Sequence, residues 1–442
     1  MKVLTFRGGI HPPHNKKSTE SKPVEVASQP KSVYIPLAQH IGAPSSALVN
    51  KGDIVKRGQK IGEATGFVSV PVHSSVSGTV KDIAPRLVPG GQKVMCVEIE
   101  NDMQDELYDQ LPKYPGLDEM SPQELLDMIK EAGIVGMGGA TFPTHVKLSP
   151  PPEKNIDVVI LNGAECEPYL TADHRLMLER PDDIVLGLKV LMKILGVSKS
   201  YIGIEDNKPD CIEAMSRSAS EDRRIEVVAF QTKYPQGAEK QLIFACTDRE
   251  VPSGGLPADI GAVVCNVATA AQIAVTLKTG LPLIERICTV TGSCVREPKN
   301  LLIKTGTLYS EIVEQCGGFL EEPKKIVSGG PMMGIAQSTL EVPATKGSSG
   351  ILCLSSKEVH TGEASNCIRC AKCISICPAK IQPMYISAFS LKMNFSKAEE
   401  YKALDCIECG SCSFVCPARR PLLQSIRVAK REIMANRRKA SK

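Results

Sequence analysis

The sequence predicts a multidomain chain of β and α/β parts that ends in a helical, cysteine-rich segment. Three observations carry that reading. Residues 32–100 run in short apolar–polar alternations separated by Gly turns, and residues 121–285 alternate strand-like with helix-like stretches. Two C-x2-C-x2-C-x3-C-P motifs stand near the end, "CIRCAKCISICP" from Cys367 and "CIECGSCSFVCP" from Cys406. At 442 residues and 42% hydrophobic content, the chain is long enough for several cores. Aromatics are 4% with no Trp and the net charge is +4, which argues against stacking on nucleic acid. No run approaches the roughly 18 apolar residues of a membrane span, and the start lacks the apolar core of a signal peptide. The expectation is a chain with no span of its own.

Residues 1–31, polar and rich in Pro and Lys, read as an extended N-terminal arm. From Ser32, "NKGDIVKRGQKIGEA" and "PVHSSVSGTVKDI" alternate and turn at Gly. They resemble the barrel-sandwich hybrid of biotinyl and lipoyl carriers, assigned here to 32–100. A carrier needs a Lys at its hairpin tip, and this tip, "ATGFVSVPV", has none. A structural or docking module is expected.

"SPQELLDMIKEAG" then starts a helix, with Ser121 as N-cap, Pro122 in the first turn and Glu124 completing a capping box. "DVVILN" (157–162), "SYIGIED" (200–206), "RIEVVAF" (224–230) and "GAVVCN" (261–266) read as buried strands between helices. Such alternation implies a largely parallel, Rossmann-like sheet over 121–285, with ligands at the carboxyl ends of its strands. Residues 286–335 return to short strands in a β-grasp-like pattern. The Ser/Gly-rich stretch 336–359 reads as a linker. Residues 360–442 hold the cysteine motifs and the basic tail "RVAKREIMANRRKASK", a solvated helix or a dock for acidic lipid or a partner.

The cysteine spacing is that of a protein with two [4Fe–4S] clusters, in which the x3-C-P cysteine of each motif serves the other cluster. Cys367, Cys370, Cys373 and Cys416 are expected to hold one, and Cys377, Cys406, Cys409 and Cys412 the other. Zinc would leave the x3-C-P cysteine idle in both motifs. The remaining nine cysteines share no spacing, which fits a reducing compartment. Helical patterning between the motifs and after them points to the helical variety of two-cluster ferredoxin.

In "GIVGMGGATFPTHVK" (133–147), Gly136, Gly138 and Gly139 form a loop with Lys147 downstream, a pattern suited to a phosphate. "LNGAECEP" (161–168) places Glu165 and Glu167 about a turn at a strand's carboxyl end. A tight Gly turn and two solvated acids are the plain alternatives. His73, His145, His174 and His360 show no ligand spacing and read as ordinary imidazoles.

"GMGGATFPTHVK" followed by "NGAECEP" resembles the flavin- and NADH-binding subunit of respiratory complex I, with its GxGGAxFPTxxK and NxxExEP. "FRGGIHPPHNK", the hybrid barrel, the β-grasp piece, "GGPMMG" and the cluster motifs, in this order, resemble the C subunits of the Rnf electron transport complexes over nearly the whole chain. The resemblance implies an FMN/NADH-binding α/β domain with an SLBB-like β-grasp domain. It implies that Gly136, Gly138 and Lys147 cradle the FMN phosphate and ribityl chain. Asn162 and Glu165 would hydrogen-bond the flavin, and Asn266 and Thr269 would touch it. Phe142 would stack on the nicotinamide nucleotide and Glu167 would bind its ribose or amide. Gly237 and Glu239 would close over both. Ala164, Ala238 and Met137 depart from the residues usual in the family.

The implied cofactors are FMN, NAD(H) and two [4Fe–4S] clusters. The implied function is that of a peripheral subunit of a membrane-bound, ion-translocating ferredoxin:NAD+ oxidoreductase. No side chain need act as acid or base in hydride transfer. Implied partners are the membrane subunits, including ferredoxin-like and flavin-bearing ones, at the cytoplasmic face of a bacterial cell membrane. Two rival readings share these motifs: a soluble cobalamin reductase of microcompartments, and an electron-wiring subunit with a vestigial flavin site.

Overall fold

A computed structural model describes residues 2–359 and 362–440. His360 lies outside them. At the centre is a five-stranded, all-parallel sheet in the order Val3–Leu4, Ile225–Phe230, Ser200–Glu205, Val158–Gly163, Ala262–Asn266. Strands Val158–Gly163 and Ser200–Glu205 are apolar on both faces because helices cover both sides. Helix Pro122–Glu131 begins with the Ser121/Glu124 capping box, and helix Pro181–Leu195 ends at Gly196 in the left-handed conformation. Gly187 lets that helix lie against Val267–Thr279. A Cβ at this position would come within 1.8 Å of the Ala270 carbonyl oxygen.

The expected hybrid barrel is formed by a four-stranded and a three-stranded sheet closed over Val33, Ile35, Ile61, Val72, Val80, Val97 and Ile99. Its tip docks on the α/β domain. The Phe67 carbonyl oxygen lies 3.1 Å from His145 Nε2, and the two rings meet edge-on with centroids 6.1 Å apart.

The third sheet changes two of the expected boundaries. Its six strands run Ile335–Gln337, Lys325–Ser328, Gly350–Leu354, Glu285–Thr291, Lys299–Lys304, Val24–Val26. Gly350–Leu354 lies inside the stretch read as a linker over 336–359, yet it is fully buried and sits between two β-grasp strands. Its five residues are a short run, and Ser and Gly on both sides mask them. The arm 1–31 is likewise laced into the fold: Val3–Leu4 extends the central sheet and Val24–Val26 extends this one. Lys346 bolts the pieces together. Its buried Nζ donates to the carbonyls of Pro71 (2.9 Å) and Gly133 (2.7 Å), and burial lowers its pKa to about 7.

In the C-terminal domain, helices Pro383–Leu391, Phe395–Glu400 and Leu422–Ala440 pack around Ile386, Ala398, Ile426, Ala429 and Ile433. The basic tail thus continues a core helix, burying Ala429 and Ile433 on one face while Val428, Arg431 and Met434 are exposed, and is exposed throughout from residue 436 to 440. No helix among the described residues is long and apolar enough to cross a membrane.

Candidate functional site

The Gly-rich loop lies at the carboxyl end of the parallel sheet, where Asn162 is the next-to-last residue of strand Val158–Gly163 and Asn266 the last of Ala262–Asn266. Its base is closed by a hydrogen bond from Gly136 N–H to the Phe142 carbonyl, 2.9 Å. Two further bonds hold Met137: its N–H donates to Thr269 Oγ1 (3.0 Å), and its carbonyl accepts from Arg286 (3.0 Å). Thr269 is buried, so it anchors the loop from below. Gly138 rests on Asn266; a Cβ there would sit 2.6 Å from the Asn266 amide nitrogen. Gly138, Gly139 and Ala140 are exposed, and their N–H groups make no hydrogen bond to the described residues. Phe142 is partly exposed at the loop's end.

Lys147 reaches the same place from the short helix Thr144–Lys147, donating to Glu239 (2.7 Å) and to the Val264 carbonyl (2.8 Å). Burial would lower its pKa, but the Glu239 carboxylate outweighs that and the net shift is upward. Asn162 donates to the Gly237 carbonyl (2.8 Å) and accepts from Ala164 N–H (3.1 Å). Asn266 caps helix Val267–Thr279 and donates to Asp173, 2.7 Å.

Asp173 was not legible in the sequence. Burial, followed by repulsion from Glu165, pushes its carboxyl up to about 6. These groups form the set a flavin mononucleotide requires: free loop amides and an ammonium for a phosphate, and two side-chain amides for a polar ring edge. The residues fit the cofactor.

Both acids of "GAECEP" are held by partners within the chain. Glu165, in the left-handed conformation (φ 44°), accepts from Asp173 N–H (2.7 Å) and His174 N–H (3.2 Å) and pairs with buried Lys16, 3.7 Å. Glu167 accepts from the N–H groups of Met333 (2.8 Å) and Met332 (3.0 Å), with the Tyr234 hydroxyl at 3.5 Å. Gly330 makes room for it, since a Cβ there would lie 2.2 Å from a Glu167 oxygen. Burial raises the Glu167 pKa despite those donors. "GGPMMG" is therefore the clasp of Glu167, a role no local pattern revealed.

The cysteines line two cavities. One is bounded by Cys367, Cys370, Cys373 and Cys416, the other by Cys377, Cys406, Cys409 and Cys412. Each draws three cysteines from one motif and the fourth from the other. The second cavity faces the α/β domain: Cys409 packs with Tyr234, Ile10, Cys166 and Met332. The first faces outward, with Cys367 and Cys370 exposed. His174, Asp210 and Cys211 also bring three potential ligand atoms within 4.8 Å of one another, which their spacing did not indicate. His174 bonds Asp210 at 2.9 Å, and burial raises the Cys211 thiol pKa. His73 and His145 are buried packing residues.

A parallel sheet carrying a phosphate loop, joined to a cysteine-lined two-cavity domain, defines an electron-transfer flavin and iron–sulfur protein. Four families match in order: the RnfC barrel sandwich hybrid domain over 4–104, the Nuo51 FMN-binding domain over 129–275, the SLBB domain over 287–336 and the 4Fe-4S dicluster domain over 359–420. The chain is 53% identical over 437 residues, 99% of both chains, to the C subunit of the Na(+)-translocating ferredoxin:NAD(+) oxidoreductase complex of Acetobacterium woodii. It is 54% identical over 431 residues, 97% of this chain and 94% of the other, to the proton-translocating counterpart of Clostridium ljungdahlii. It belongs to the RnfC family, the C subunits of the ion-translocating ferredoxin:NAD+ oxidoreductase (Rnf) complexes. Its fold also resembles a chain of the NAD+-reducing [NiFe]-hydrogenase in the H2-reduced state, with a TM-score of 0.50 and 17% identity. That match covers 73% of this chain and 62% of the other.

Proposed function

We propose that this subunit passes electrons between NAD(H), bound beside the Gly136–Ala140 loop, and membrane subunits that dock on the outer face of its C-terminal domain. The observation that carries the reading is the placement of the two cysteine-lined cavities, one against the α/β domain and one at the surface. The chemistry supplied here by bound FMN would be hydride exchange with NAD(H) and release of single electrons, which [4Fe–4S] clusters would carry.

The chain's own residues supply binding and order. Amides of Gly138–Ala140 and the Lys147 ammonium would hold the phosphate. Asn162 and Asn266 would orient the ring, and Phe142, Gly237 and Glu239 would bound the nucleotide. Cys377, Cys406, Cys409 and Cys412 would form the inner cluster site, and Cys367, Cys370, Cys373 and Cys416 the outer one. Tyr234, Cys166 and Met332 pack together with Cys409 between the flavin site and the inner cavity.

The outer face suits an acidic partner. Residues 362–440 contain fourteen Lys or Arg against six Asp or Glu, with Arg369, Lys372, Arg419 and Arg420 in sequence beside the outer cysteines. Exposed Ile368 (68%) supplies an apolar contact between Cys367 and Cys370. The two relatives are named for different ions at nearly equal identity to this chain. We therefore place ion choice in the partners, and this chain at the cytoplasmic face.

The test adds purified subunit to membranes lacking it. Charge reversal at Arg419 and Arg420 should raise the concentration needed for half-maximal NADH-driven electron transfer several-fold. NADH-dependent bleaching in the isolated subunit should stay unchanged. Equal half-saturation for wild type and variant would remove the docking face from the account.

A further inference from the structure

The segment Phe6–Ile10 of the N-terminal arm supplies no group to hold flavin, nucleotide or cluster, yet it is fastened on both sides of the gap between those sites, where Ile10 packs with Cys409. On one side, Ile10 and Tyr234 exchange two backbone hydrogen bonds, each 2.8 Å. On the other, Gly9 N–H donates to the Ile376 carbonyl, 2.8 Å, directly before Cys377. Gly8 and Gly9 both hold φ +85°, a conformation that favours glycine. A Cβ on Gly9 would stand 2.8 Å from the Tyr234 carbonyl oxygen, and one on Gly8 would stand 3.0 Å from that of Ile376. Backbone thus crowds the turn from both domains. Beneath it, Lys233 Nζ donates to the carbonyls of Phe6 and Gly8 (3.1 Å) and lies 4.0 Å from the Phe6 ring centroid.

Other polar ties between the domains are made by side chains, two of them also next to cysteines, Pro378 after Cys377 and Asp405 before Cys406. Gln241 donates to the Pro378 carbonyl at 3.3 Å, Ser253 to Asp405 at 2.6 Å, and Lys380 pairs with Glu250 at 3.1 Å. They would keep the domains together without the arm, but each hangs on a flexible side chain, whereas the turn bonds both sides through backbone.

We propose that the Gly8–Ile10 turn is a positioning device, which sets the distance between the Tyr234–Cys166 edge of the flavin site and the cavity of Cys377 and Cys409. It thereby sets the rate of single-electron transfer across that gap, with no bond made or broken. The proposal rests on the functional reading above.

The test is Gly9→Ala in the full chain loaded with FMN and iron, mixed anaerobically with NADH in a stopped-flow spectrometer. Flavin reduction should keep its wild-type rate, while the following loss of cluster absorbance slows about tenfold or more. Amide hydrogen exchange at Ile10 and Tyr234 should speed up. Faster exchange with an unchanged cluster phase would overturn the proposal, as would equal slowing of both phases. Lys233→Met removes the support beneath the turn without adding an atom to its crowded sides. It should give the same two readouts if Gly9→Ala does not accumulate. Wild-type protein whose flavin is not reduced by NADH would remove the functional reading, and this proposal with it.

Discussion

Lys147 and Glu239 meet at 2.7 Å, with the Lys147 side chain only one-third exposed, where the parallel sheet opens beside the Gly-rich loop. The pair explains how a mostly buried ammonium is kept charged beside the loop proposed to hold a phosphate. Lys147→Met should weaken FMN binding by roughly tenfold to a hundredfold, the worth of one charge-assisted bond at about 1.5–3 kcal/mol. Glu239→Gln should retain FMN and raise the KM for NADH. Fluorescence titration with FMN checks the first; an unaltered dissociation constant in Lys147→Met would count against the assignment.

The crossed cysteines make a prediction about which cluster each cysteine serves. Cys416→Ala should abolish the cluster of Cys367, Cys370 and Cys373 while sparing the other, and Cys377→Ala should do the reverse. Iron content should fall by about half in each. The two single variants should lose different low-temperature paramagnetic resonance signals. Loss of one and the same signal in both would refute the crossing.

Asp173 sets a pH dependence. Its folded pKa of about 6 stands above the ordinary value of 3.8, so between those values the folded chain holds more protons than the unfolded one. Stability should fall as pH rises from about 4 to 6. The residual cost near neutrality is on the order of 1–3 kcal/mol. Asp173→Asn should flatten that slope and be at least as stable as wild type at neutral pH, as read by thermal unfolding at a series of pH values.

Lys346 acts with the opposite sign. Its folded pKa of about 7 lies below the ordinary 10.5, so the unfolded chain binds the extra proton in this window. Stability should rise with pH from about 7 to 10. Lys346→Met should lose that rise and leave the Pro71 and Gly133 carbonyls without their donor, at about 1–3 kcal/mol. Parallel pH profiles for wild type and variant would contradict this.

What the sequence made legible followed from local regularity. Strands such as Val158–Gly163 and the capped helix Pro122–Glu131 declare themselves by continuous apolar runs and end signals. The cysteine motifs do so by spacing alone. Gly350–Leu354 stayed hidden because five residues between Ser/Gly-rich flanks carry too little pattern. Lys16, Asp173 and Arg286 stayed hidden for a different reason. Each serves the site through partners that no local pattern encodes, Lys16 reaching Glu165 and Arg286 reaching Met137 across long sequence separations. Glu165 and Glu167 were found as residues, but their present partners, the amides of Asp173 and of Met332, became visible only in three dimensions.

The central claim is that electrons from NADH reach the cysteine-lined cavities through the site beside Gly138. An anaerobic optical spectrum of the purified chain, loaded with FMN and iron and recorded before and after NADH, tests it most directly. The account predicts loss of both flavin and iron–sulfur absorbance, with the iron–sulfur change absent when FMN is withheld. Fully loaded protein whose iron–sulfur absorbance stays unchanged after NADH would contradict it.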